Sequence, residues 1–377
     1  MENGTAGSAR LRVAGLKIRD FRGIDRLSLE LTDADGEPLD MAVFAGGNGS
    51  GKTAVLEALV LLLTGSTSFL PDDAAPLHEQ VRFGARKAEL SALVRKAGSE
   101  GNGDGISLSI DGTPPQGAPV NRAYVTEGGR EREVLFDWER GGLSELPQIE
   151  YFSARREPMD LGKTVDPRGA RSQDEAKRIR ELKRRLVSAY YRRLRVQPSQ
   201  ASTIDAPFSR LQRFWERFSG DGRVLDVIPV DNRPDSGEEV VLREPKPIPE
   251  DITSLAMARD LAPTREDIPH MVPLERLSSG QMALFAFAGP LVFRDRPADV
   301  VLIDEPEEHL HVQWQRQILS ALRELSPGTQ FLIATHSAEI LDAALTYERF
   351  ILVEESDPRA HIGEDPSDGD EAVEAAQ

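Results

Sequence analysis

A glycine-rich segment close to the N-terminus has the residue types that bind a nucleoside triphosphate. GGNGSGKT matches the pattern G-x-x-x-x-G-K-[ST], with the apolar strand MAVFA before it and the helix TAVLEALVLLL after it. Its glycines let consecutive backbone N–H groups turn toward phosphate oxygens, and the helix N-terminus adds a positive partial charge. Lys52 would neutralise the β- and γ-phosphates, and the Thr53 hydroxyl would bind Mg²⁺. The predicted phosphate-binding residues are Gly46, Gly47, Asn48, Gly49, Ser50, Gly51, Lys52 and Thr53.

A second segment ends an apolar strand in two adjacent acids. In VVLIDEP, four apolar residues precede Asp304 and Glu305, so the strand is predicted to be buried up to its acidic end. Asp304 would hold Mg²⁺ through water, as a Walker-B aspartate does. Glu305 points in another direction because it lies one residue further on, and it would polarise the water that attacks the γ-phosphate. The acids therefore predict ATP hydrolysis; the alternative is an acidic strand end that caps the next helix.

Two further segments lie where an element begins or ends. LSSGQ, residues 277–281, precedes a strongly apolar helix, so its free N–H groups and hydroxyls could bind an anion. An ordinary serine N-cap is the simpler explanation of this segment alone. His336 ends the strand QFLIAT and could hydrogen-bond a γ-phosphate, while a lone histidine at a strand end is usually structural. His309 and His311 follow the paired acids, and we expect no metal there beyond Mg²⁺.

The elements that would position these segments indicate an α/β fold. From Leu274 onward, helices alternate with apolar strands, which is typical of a parallel sheet. Between residues 81 and 153 the strands are joined by short turns, which favours antiparallel pairing. Helices are predicted from Ser172 to Phe218, the second beginning at Pro207. The predicted regions are an N-terminal lobe with the glycine-rich loop and an antiparallel β-subdomain (1–170), a helical insertion with a proline-rich linker (171–273), a C-terminal lobe (274–353) and a disordered acidic tail (354–377).

The composition excludes several classes of protein. The 377 residues contain no cysteine, which excludes a disulfide scaffold, zinc–thiolate sites, iron–sulfur clusters and a cysteine nucleophile. With 46 Lys and Arg against 63 Asp and Glu, the net charge is −17, so the overall field does not attract nucleic acid. The longest apolar stretch, residues 54–63, is too short to span a bilayer, and the N-terminus lacks the apolar core of a secretory signal. We therefore expect a cytoplasmic protein with no membrane partner.

One basic segment departs from this acidic balance. From Lys177 to Arg195 there are nine Lys or Arg and one acid. On a helix, four of the basic residues would share a face that could rest on the phosphate backbone of DNA or RNA, with binding that weakens as salt rises. The alternatives are a solvated face or a surface that pairs with an acidic partner. The four residues are Arg178, Lys183, Arg185 and Arg192.

The four chemically active segments, taken in order, resemble one family. GGNGSGKT (the P-loop), LSSGQ, LIDEP and THS resemble the motifs of an ABC-type ATPase head, and the opening LKIRDFRGIDRLSLEL resembles the SMC, RecF and OLD-type branch of that family. The resemblance implies an ABC-ATPase-like P-loop fold with a mixed central sheet, an N-terminal antiparallel β-subdomain and an inserted helical lobe. Three departures stand out. Long heptad arms are absent, Ser279 stands where the commonest signature has glycine, and the strand end from Tyr151 to Arg155 has no Q-loop glutamine.

The resemblance also implies a mechanism that needs two copies of the chain. The heads would dock head to tail, with ATP and Mg²⁺ between the P-loop of one copy and the LSSGQ signature of the other. Glu305 would be the general base, His336 the switch histidine and Lys52 the third catalytic residue. Arg22 could reach the nucleotide, and the alternative is an ordinary surface arginine after a strand. The signature residues that would act on the other copy's nucleotide are Ser278, Gly280 and Gln281.

The output of such an ATPase is expected to lie in another protein. OLD-type proteins usually carry a Toprim nuclease domain after the head, whereas Asp368-Gly369-Asp370 lies in an acidic tail with no predicted strand to hold it. The resemblance therefore implies a separate effector, a nuclease or toxin, in anti-phage defence or DNA repair. One alternative is a transporter's nucleotide-binding subunit, against which the missing Q-loop counts. The other is an ATP-dependent scaffold with little turnover.

Overall fold

A computed structural model describes residues 10–67, 70, 75–98, 103–112, 122–127, 130–135, 147–154, 175–195, 201–220, 222–229, 238–244, 271–294 and 296–353. The strands in this part are β1 (Leu11–Phe21), β2 (Ile24–Glu30), β3 (Met41–Ala45), β4 (Lys87–Lys96), β5 (Asp104–Asp111), β6 (Arg122–Glu127), β7 (Arg130–Leu135), β8 (Ile149–Phe152), β9 (Val224–Pro229), β10 (Glu238–Arg243), β11 (Val272–Pro273), β12 (Val300–Asp304), β13 (Gln330–Thr335) and β14 (Arg349–Ile351). The helices are α1 (Lys52–Thr64), α2 (Glu175–Arg195), α3 (Ala201–Glu216), α4 (Ser279–Val292), α5 (Val312–Leu325) and α6 (Ala338–Ala343).

Some of the predictions fall on other residues. The acidic tail, residues 354–377, and most of the proline-rich loop lie outside the described residues, and the boundaries of the four predicted regions stay predictions. Among the helices that the structure describes, none combines the length and the hydropathy that crossing a membrane requires.

Five strands form a parallel sheet in the order β14–β3–β13–β12–β8. β3, β12 and β13 are buried along their whole length, and their near-continuous apolar sequences are typical of strands that are covered on both faces. Ala45 pairs with Thr335 and Asp304 pairs with Ala334, so three strands end at the same edge of the sheet. That edge carries the P-loop after β3, Asp304 and Glu305 at the end of β12, and His336 after β13.

A six-stranded antiparallel sheet, β2–β1–β4–β5–β6–β7, packs on one side of α1. Alternate residues of β4 are buried, as expected for a sheet with one face against a core. The parallel sheet covers the other side of α1, which explains why this helix is apolar nearly all round. The predicted α/β fold with an antiparallel β-subdomain is therefore confirmed. Within the described residues, parallel and antiparallel pairs lie in separate sheets, so the central five-stranded sheet is parallel and not itself mixed as predicted.

A lobe made of α2, α3 and the small sheet β11–β10–β9 packs around α4. Leu182 of α2 is buried, and Trp215 of α3 stacks on Phe285 of α4 with the ring centroids 5.1 Å apart. α3 begins at Ala201, whereas the sequence predicted a start at Pro207. The proline removes one main-chain hydrogen bond inside the helix, and the burial of the residues that follow it offsets this loss.

Three of the four basic side chains that were predicted to form a nucleic-acid-binding face donate hydrogen bonds to groups of the same chain. Arg178 donates to a carbonyl at the end of β8, Lys183 bridges two glutamates, and Arg185 donates to the carbonyl that ends α4. The described contacts therefore favour a structural role for this helix, while the side chain of Arg192 lies outside the described residues. The acceptors are Tyr151 O at 2.8 Å, Glu239 at 2.7 Å, Glu275 at 2.6 Å and Phe293 O.

Candidate nucleotide site

The P-loop connects β3 to α1 along a path that favours glycine, as Gly51 and Gly46 show. Gly51, just before α1, has a φ of 88°, in the left-handed region. A Cβ at Gly46 would overlap the Leu352 carbonyl oxygen. Because no side chain fills these points, the main-chain groups of the loop can approach a phosphate closely. The predicted residues between them are exposed apart from buried Ser50: Gly47, Asn48 and Gly49.

Lys52 is the first residue of α1, and its side chain folds back over the P-loop. Its Nζ donates to two carbonyl oxygens of the loop, at 3.0 and 2.7 Å. Burial lowers the pKa of Lys52, while the carboxylates of Glu305, Asp304 and Glu307 act in the opposite direction. The ammonium group thus lies between the loop and a cluster of acids, where phosphate oxygens would replace the carbonyl oxygens as its acceptors.

Thr53 and Asp304 bring the two predicted Mg²⁺ ligands together. Thr53 Oγ1 donates to Asp304 Oδ2 at 2.9 Å, across the gap between α1 and β12. A hydroxyl and a carboxylate are hard oxygen donors, and Mg²⁺ usually takes one or two carboxylates, filling its other positions with water and phosphate oxygens. No group of three or more acidic or histidine side chains forms a metal cage in the described part of the chain. The two residues therefore fit Mg²⁺ held jointly by protein, phosphate and water.

Glu305 directly follows β12 and turns toward the end of β13. Its φ of 48° lies in the left-handed region, which is uncommon for a residue with a Cβ. Its N–H still donates to the Ala334 carbonyl at 2.8 Å, so the pairing of the two strands continues to this point. The Glu305 Oε1 lies 3.1 Å from the His336 Nε2, and each side chain is about one-third exposed (34% and 33%). The structure thus brings the predicted general base and the predicted switch histidine together.

Glu307 belongs to the same site, although the sequence does not single it out. Its carboxylate accepts hydrogen bonds from the Thr335 hydroxyl at 2.8 Å and from the main-chain N–H groups of His336 and Ser337 at 2.5 and 3.1 Å. Glu307 and Glu308 are adjacent acids in DEPEEH, and spacing alone does not tell which of them turns back toward the sheet. The only signal was an excess of acids after the buried strand.

Arg22 is held against the helix that follows the P-loop. Its guanidinium forms an ion pair with Glu57, a buried residue of α1. Its main-chain N–H donates to the Gln80 carbonyl at 2.7 Å. In the sequence, Glu57 only interrupts an apolar helix, and no sequence pattern identifies it as the partner of Arg22. Arg22 therefore contacts the helix that begins at Lys52, and it is connected to the candidate site through that helix.

The LSSGQ segment begins α4 and closes on itself. Ser278 Oγ accepts from the Gln281 N–H at 3.4 Å, and the Gln281 side chain accepts from the Ser278 N–H at 3.0 Å. This is a capping box, so the simpler N-cap explanation describes the segment in a single chain. A Cβ at Gly280 would lie 2.5 Å from the His309 carbonyl oxygen, so the segment packs directly on the turn after the acids. In the described part of the chain, these contacts do not extend to Lys52.

A match over most of the chain decides its family. The family model described as "AAA domain, putative AbiEii toxin, Type IV TA system" matches residues 41–342, a range that includes the P-loop, the signature, both acids and His336. The chain belongs to this AAA-domain family.

Curated relatives match this AAA-domain protein over short stretches. It is 33% identical over 96 residues to the Septu protein PtuA of Bacillus mycoides. The matched stretch is 24% of this chain and 14% of that protein. It is 31% identical over 99 residues to the probable ATPase of retron Vc95 from Vibrio cholerae. The matched stretch is 23% of this chain and 19% of that protein. The matches thus span less than a fifth of the length of either relative.

The fold of the AAA-domain protein is also seen in a solved head domain. A crystal structure of an SMC head bound to the C-winged helix domain of ScpA is similar, with a TM-score of 0.52 and 15% sequence identity, over 88% of this chain and 92% of that chain. At this identity the likeness concerns the fold alone. Together with the family match, it confirms the predicted resemblance to ABC-type ATPase heads of the SMC and RecF kind.

Proposed function

We propose that this AAA-domain protein is a Mg²⁺-dependent ATPase that works as a head-to-tail pair and controls a separate effector. One observation carries the proposal: groups suited to phosphate, metal and water activation meet at one edge of the parallel sheet. Thr53 and Asp304 are 2.9 Å apart, and Glu305 and His336 are 3.1 Å apart. Lys52 lies close to both acids: burial lowers its pKa, and the carboxylates of Glu305 and Asp304 act in the opposite direction. The hydrolysis of ATP, the pairing of two copies of the chain and the control of a separate effector are proposals.

Nucleotide binding would use the P-loop and the two residues after it. The main-chain N–H groups of the loop and the N-terminus of α1 would hold the phosphates. Lys52 would exchange its carbonyl acceptors for β- and γ-phosphate oxygens. Thr53 and Asp304 would hold Mg²⁺, which when bound neutralises the charge on the β- and γ-phosphate oxygens.

Hydrolysis would use the groups that follow β12 and β13. The Glu305 carboxylate would take a proton from water as the water oxygen attacks the γ-phosphorus. The bond between the γ-phosphorus and its bridging oxygen would break, and ADP would leave with that oxygen. His336, at 3.1 Å, would fix the Glu305 carboxylate and contact the γ-phosphate.

The second half of the pocket would come from another copy of the chain. Ser278 is exposed at the N-terminus of α4, where free main-chain N–H groups favour an anion. In a head-to-tail pair, Ser278, Gly280 and Gln281 would meet the γ-phosphate that the other copy holds. Hydrolysis would remove this bridging phosphate and so release the pair.

The effector is proposed to be a separate nuclease or toxin. The family description includes a toxin–antitoxin system, and the SMC head of similar fold is bound to a domain of a second protein. Affinity purification with ATP from the native host tests this proposal, using the wild type and Glu305→Gln. Co-purification of a nuclease or toxin would support it, whereas a membrane transporter subunit, or no partner at all, would count against it.

Glu305→Gln tests the ATPase itself. Because an amide takes no proton from water, phosphate release should fall by about 10²- to 10⁴-fold, which is the usual contribution of a general base. ATP binding should persist, and ATP-bound pairs should accumulate in sedimentation velocity with ATP and Mg²⁺. Turnover equal to that of the wild type would remove Glu305 from its proposed role. Negligible turnover in the wild type would favour the ATP-dependent scaffold.

A further inference from the structure

Glu307 spans the gap between two turns of the candidate site. It lies in the turn after β12, and its carboxylate accepts three hydrogen bonds from residues at the end of β13 and beyond it. Oε1 accepts from the main-chain N–H groups of His336 at 2.5 Å and Ser337 at 3.1 Å. Oε2 accepts from the Thr335 hydroxyl at 2.8 Å. One side chain therefore satisfies the first donors after the strand, including the backbone of the predicted switch histidine.

Both turns have internal contacts of their own, so Glu307 joins two defined structures. In the first turn, the Glu308 N–H donates to the Glu305 carbonyl at 3.1 Å. In the second, the Ser337 hydroxyl caps α6 by accepting a main-chain N–H at 3.2 Å. Glu305 and Glu307 lie on the first turn and His336 lies on the second. The separation of Glu305 from His336 thus depends on how the two turns are held together.

We infer that Glu307 is a positioning residue, which fixes His336 at hydrogen-bond distance from Glu305 and so sets the rate of ATP hydrolysis. The inference rests on the proposed function, because it presupposes hydrolysis at Glu305. Glu307 binds the backbone of His336, which leaves the imidazole to face the Glu305 carboxylate at 3.1 Å. A misplacement of about 1 Å in such an arrangement can cost about 100-fold in rate.

Two substitutions separate the length of the Glu307 side chain from its charge. Glu307→Gln keeps the length. Its amide oxygen can accept from His336 and Ser337, and its NH₂ group can donate to the Thr335 hydroxyl, which is able to accept. Glu307→Asp keeps the charge but is one methylene shorter, so it cannot reach all three donors. Glu307→Ala removes every contact.

Positioning by geometry predicts a particular order of activities. Glu307→Gln should keep kcat close to that of the wild type. Glu307→Asp and Glu307→Ala should lower kcat by about 10- to 100-fold, the range found when groups that orient a catalytic ligand are removed. The affinity for ATP should change little, because the P-loop and Lys52 are intact. Steady-state phosphate release and nucleotide titration measure the two quantities.

A matched control and a double-mutant cycle distinguish positioning from damage to the fold. Glu308→Ala removes the adjacent acid of the same turn, which makes none of the three hydrogen bonds, and it should keep wild-type kcat. If Glu307 acts through His336, adding Glu307→Ala to His336→Ala should lower kcat by no more than about 2-fold further, since coupled residues are not additive. Thermal unfolding of each variant reports the state of the fold.

Three patterns of kcat would overturn the inference: wild-type kcat in Glu307→Asp, a loss in Glu307→Gln as large as in Glu307→Ala, or losses that multiply in the double mutant. Weakened ATP affinity with unchanged kcat in Glu307→Ala would do the same. A wild type that releases no phosphate, or one that is insensitive to Glu305→Gln, would instead refute the proposed function. Failure of the positioning role and failure of the ATPase are thus separate outcomes.

Discussion

The two halves of the proposed pocket differ in how much of their structure one chain provides. The catalytic half comprises the P-loop, Asp304, Glu305 and His336. Hydrogen bonds and the 3.1 Å contact between Glu305 and His336 link its members in pairs across β3, α1, β12 and β13. The signature half, LSSGQ, is closed on itself by a capping box. The comparison teaches that the chain's own contacts orient the proposed catalytic groups, whereas the described contacts of the signature segment stay at a capped helix N-terminus, which is suited to an anion.

The signature half is tied to the inserted lobe. Lys183 of α2 donates to Glu275 at 2.6 Å, three residues before Ser278. Further along α4, the Leu182 side chain packs so close to Gly289 that an added Cβ would lie 3.2 Å from it. A change in the lobe should therefore reach the signature half first, while a change in the P-loop should leave the signature half intact.

Lys52→Ala should have the largest effect, and it should be confined to the catalytic half. ATP affinity should fall by about 100-fold or more, because each hydrogen bond to a charged group contributes about 1.5–3 kcal/mol and Lys52 would make two of them. Isothermal titration with ATP and Mg²⁺ measures the loss. Lys17→Ala removes an exposed lysine of β1 and serves as the control. An unchanged affinity in Lys52→Ala would contradict the P-loop assignment.

Gly280→Ala should disturb the signature half and spare ATP binding by the P-loop. The new Cβ would lie 2.5 Å from the His309 carbonyl oxygen, so either α4 or the turn must shift. We expect a loss of about 1–3 kcal/mol in the free energy of unfolding, as for other overpacked sites. ATP-driven pairing should weaken while the ATP affinity of the single chain is kept. Urea denaturation and sedimentation velocity measure the two effects.

Ser279→Ala is the matched control for Gly280→Ala. Ser279 is exposed at the first position of α4, and alanine is a good helix former, so stability should be unchanged or slightly higher. Equal loss of pairing in both variants would mean that the contact between Gly280 and His309 is not what matters. Loss of ATP affinity in Gly280→Ala would show that the two halves are not separable within one chain.

The catalytic half could be predicted from the sequence because its motifs are local. The P-loop consists of eight consecutive residues whose path is set by glycine and by the strand and helix on either side. Asp304 and Glu305 end a continuous apolar run, so the burial of the strand and the position of its two acids followed directly. The sequence placed Glu305 and His336 at strand ends without predicting their contact, which the parallel register of β12 and β13 produces.

Contacts between distant segments could not be predicted in the same way. Lys183 was grouped with other basic residues as a phosphate-binding face, but its glutamate partners lie 56 and 92 residues away. Helical periodicity shows which residues share a face and not what that face meets. Glu307 was missed for a related reason, because its donors lie on a turn that only the register of β12 and β13 brings close.

Lys183→Met should have the smallest effect, and it tests whether the inserted lobe supports the signature half. Lys183 Nζ donates to Glu239 at 2.7 Å and to Glu275 at 2.6 Å, and methionine keeps most of the apolar stem without the charge. The three side chains are 24–35% exposed, so we expect a loss of only about 1 kcal/mol in the free energy of unfolding at neutral pH. Urea denaturation measures it.

The pH dependence of that loss identifies its cause. Burial lowers the pKa of Lys183, but the hydrogen bonds to Glu239 and Glu275 outweigh this effect and raise the pKa above its ordinary value of 10.5. A raised folded-state pKa contributes stability that is present below the unfolded-state pKa and is lost as the pH rises through the folded-state pKa. The difference between wild type and Lys183→Met should therefore stay constant from neutral pH up to about pH 10 and shrink above it.

Arg184→Met removes a charge from the neighbouring position of α2 and is the control for this comparison. Arg184 pairs with Glu181 on the same helix and its side chain is 70% exposed, so the free energy of unfolding should change by less than about 0.5 kcal/mol. If Lys183→Met weakens ATP-driven pairing while ATP affinity is kept, the lobe acts through the signature half. If both fall together, Lys183 supports the whole head, because a bridge confined to the signature half has no means of reaching Lys52.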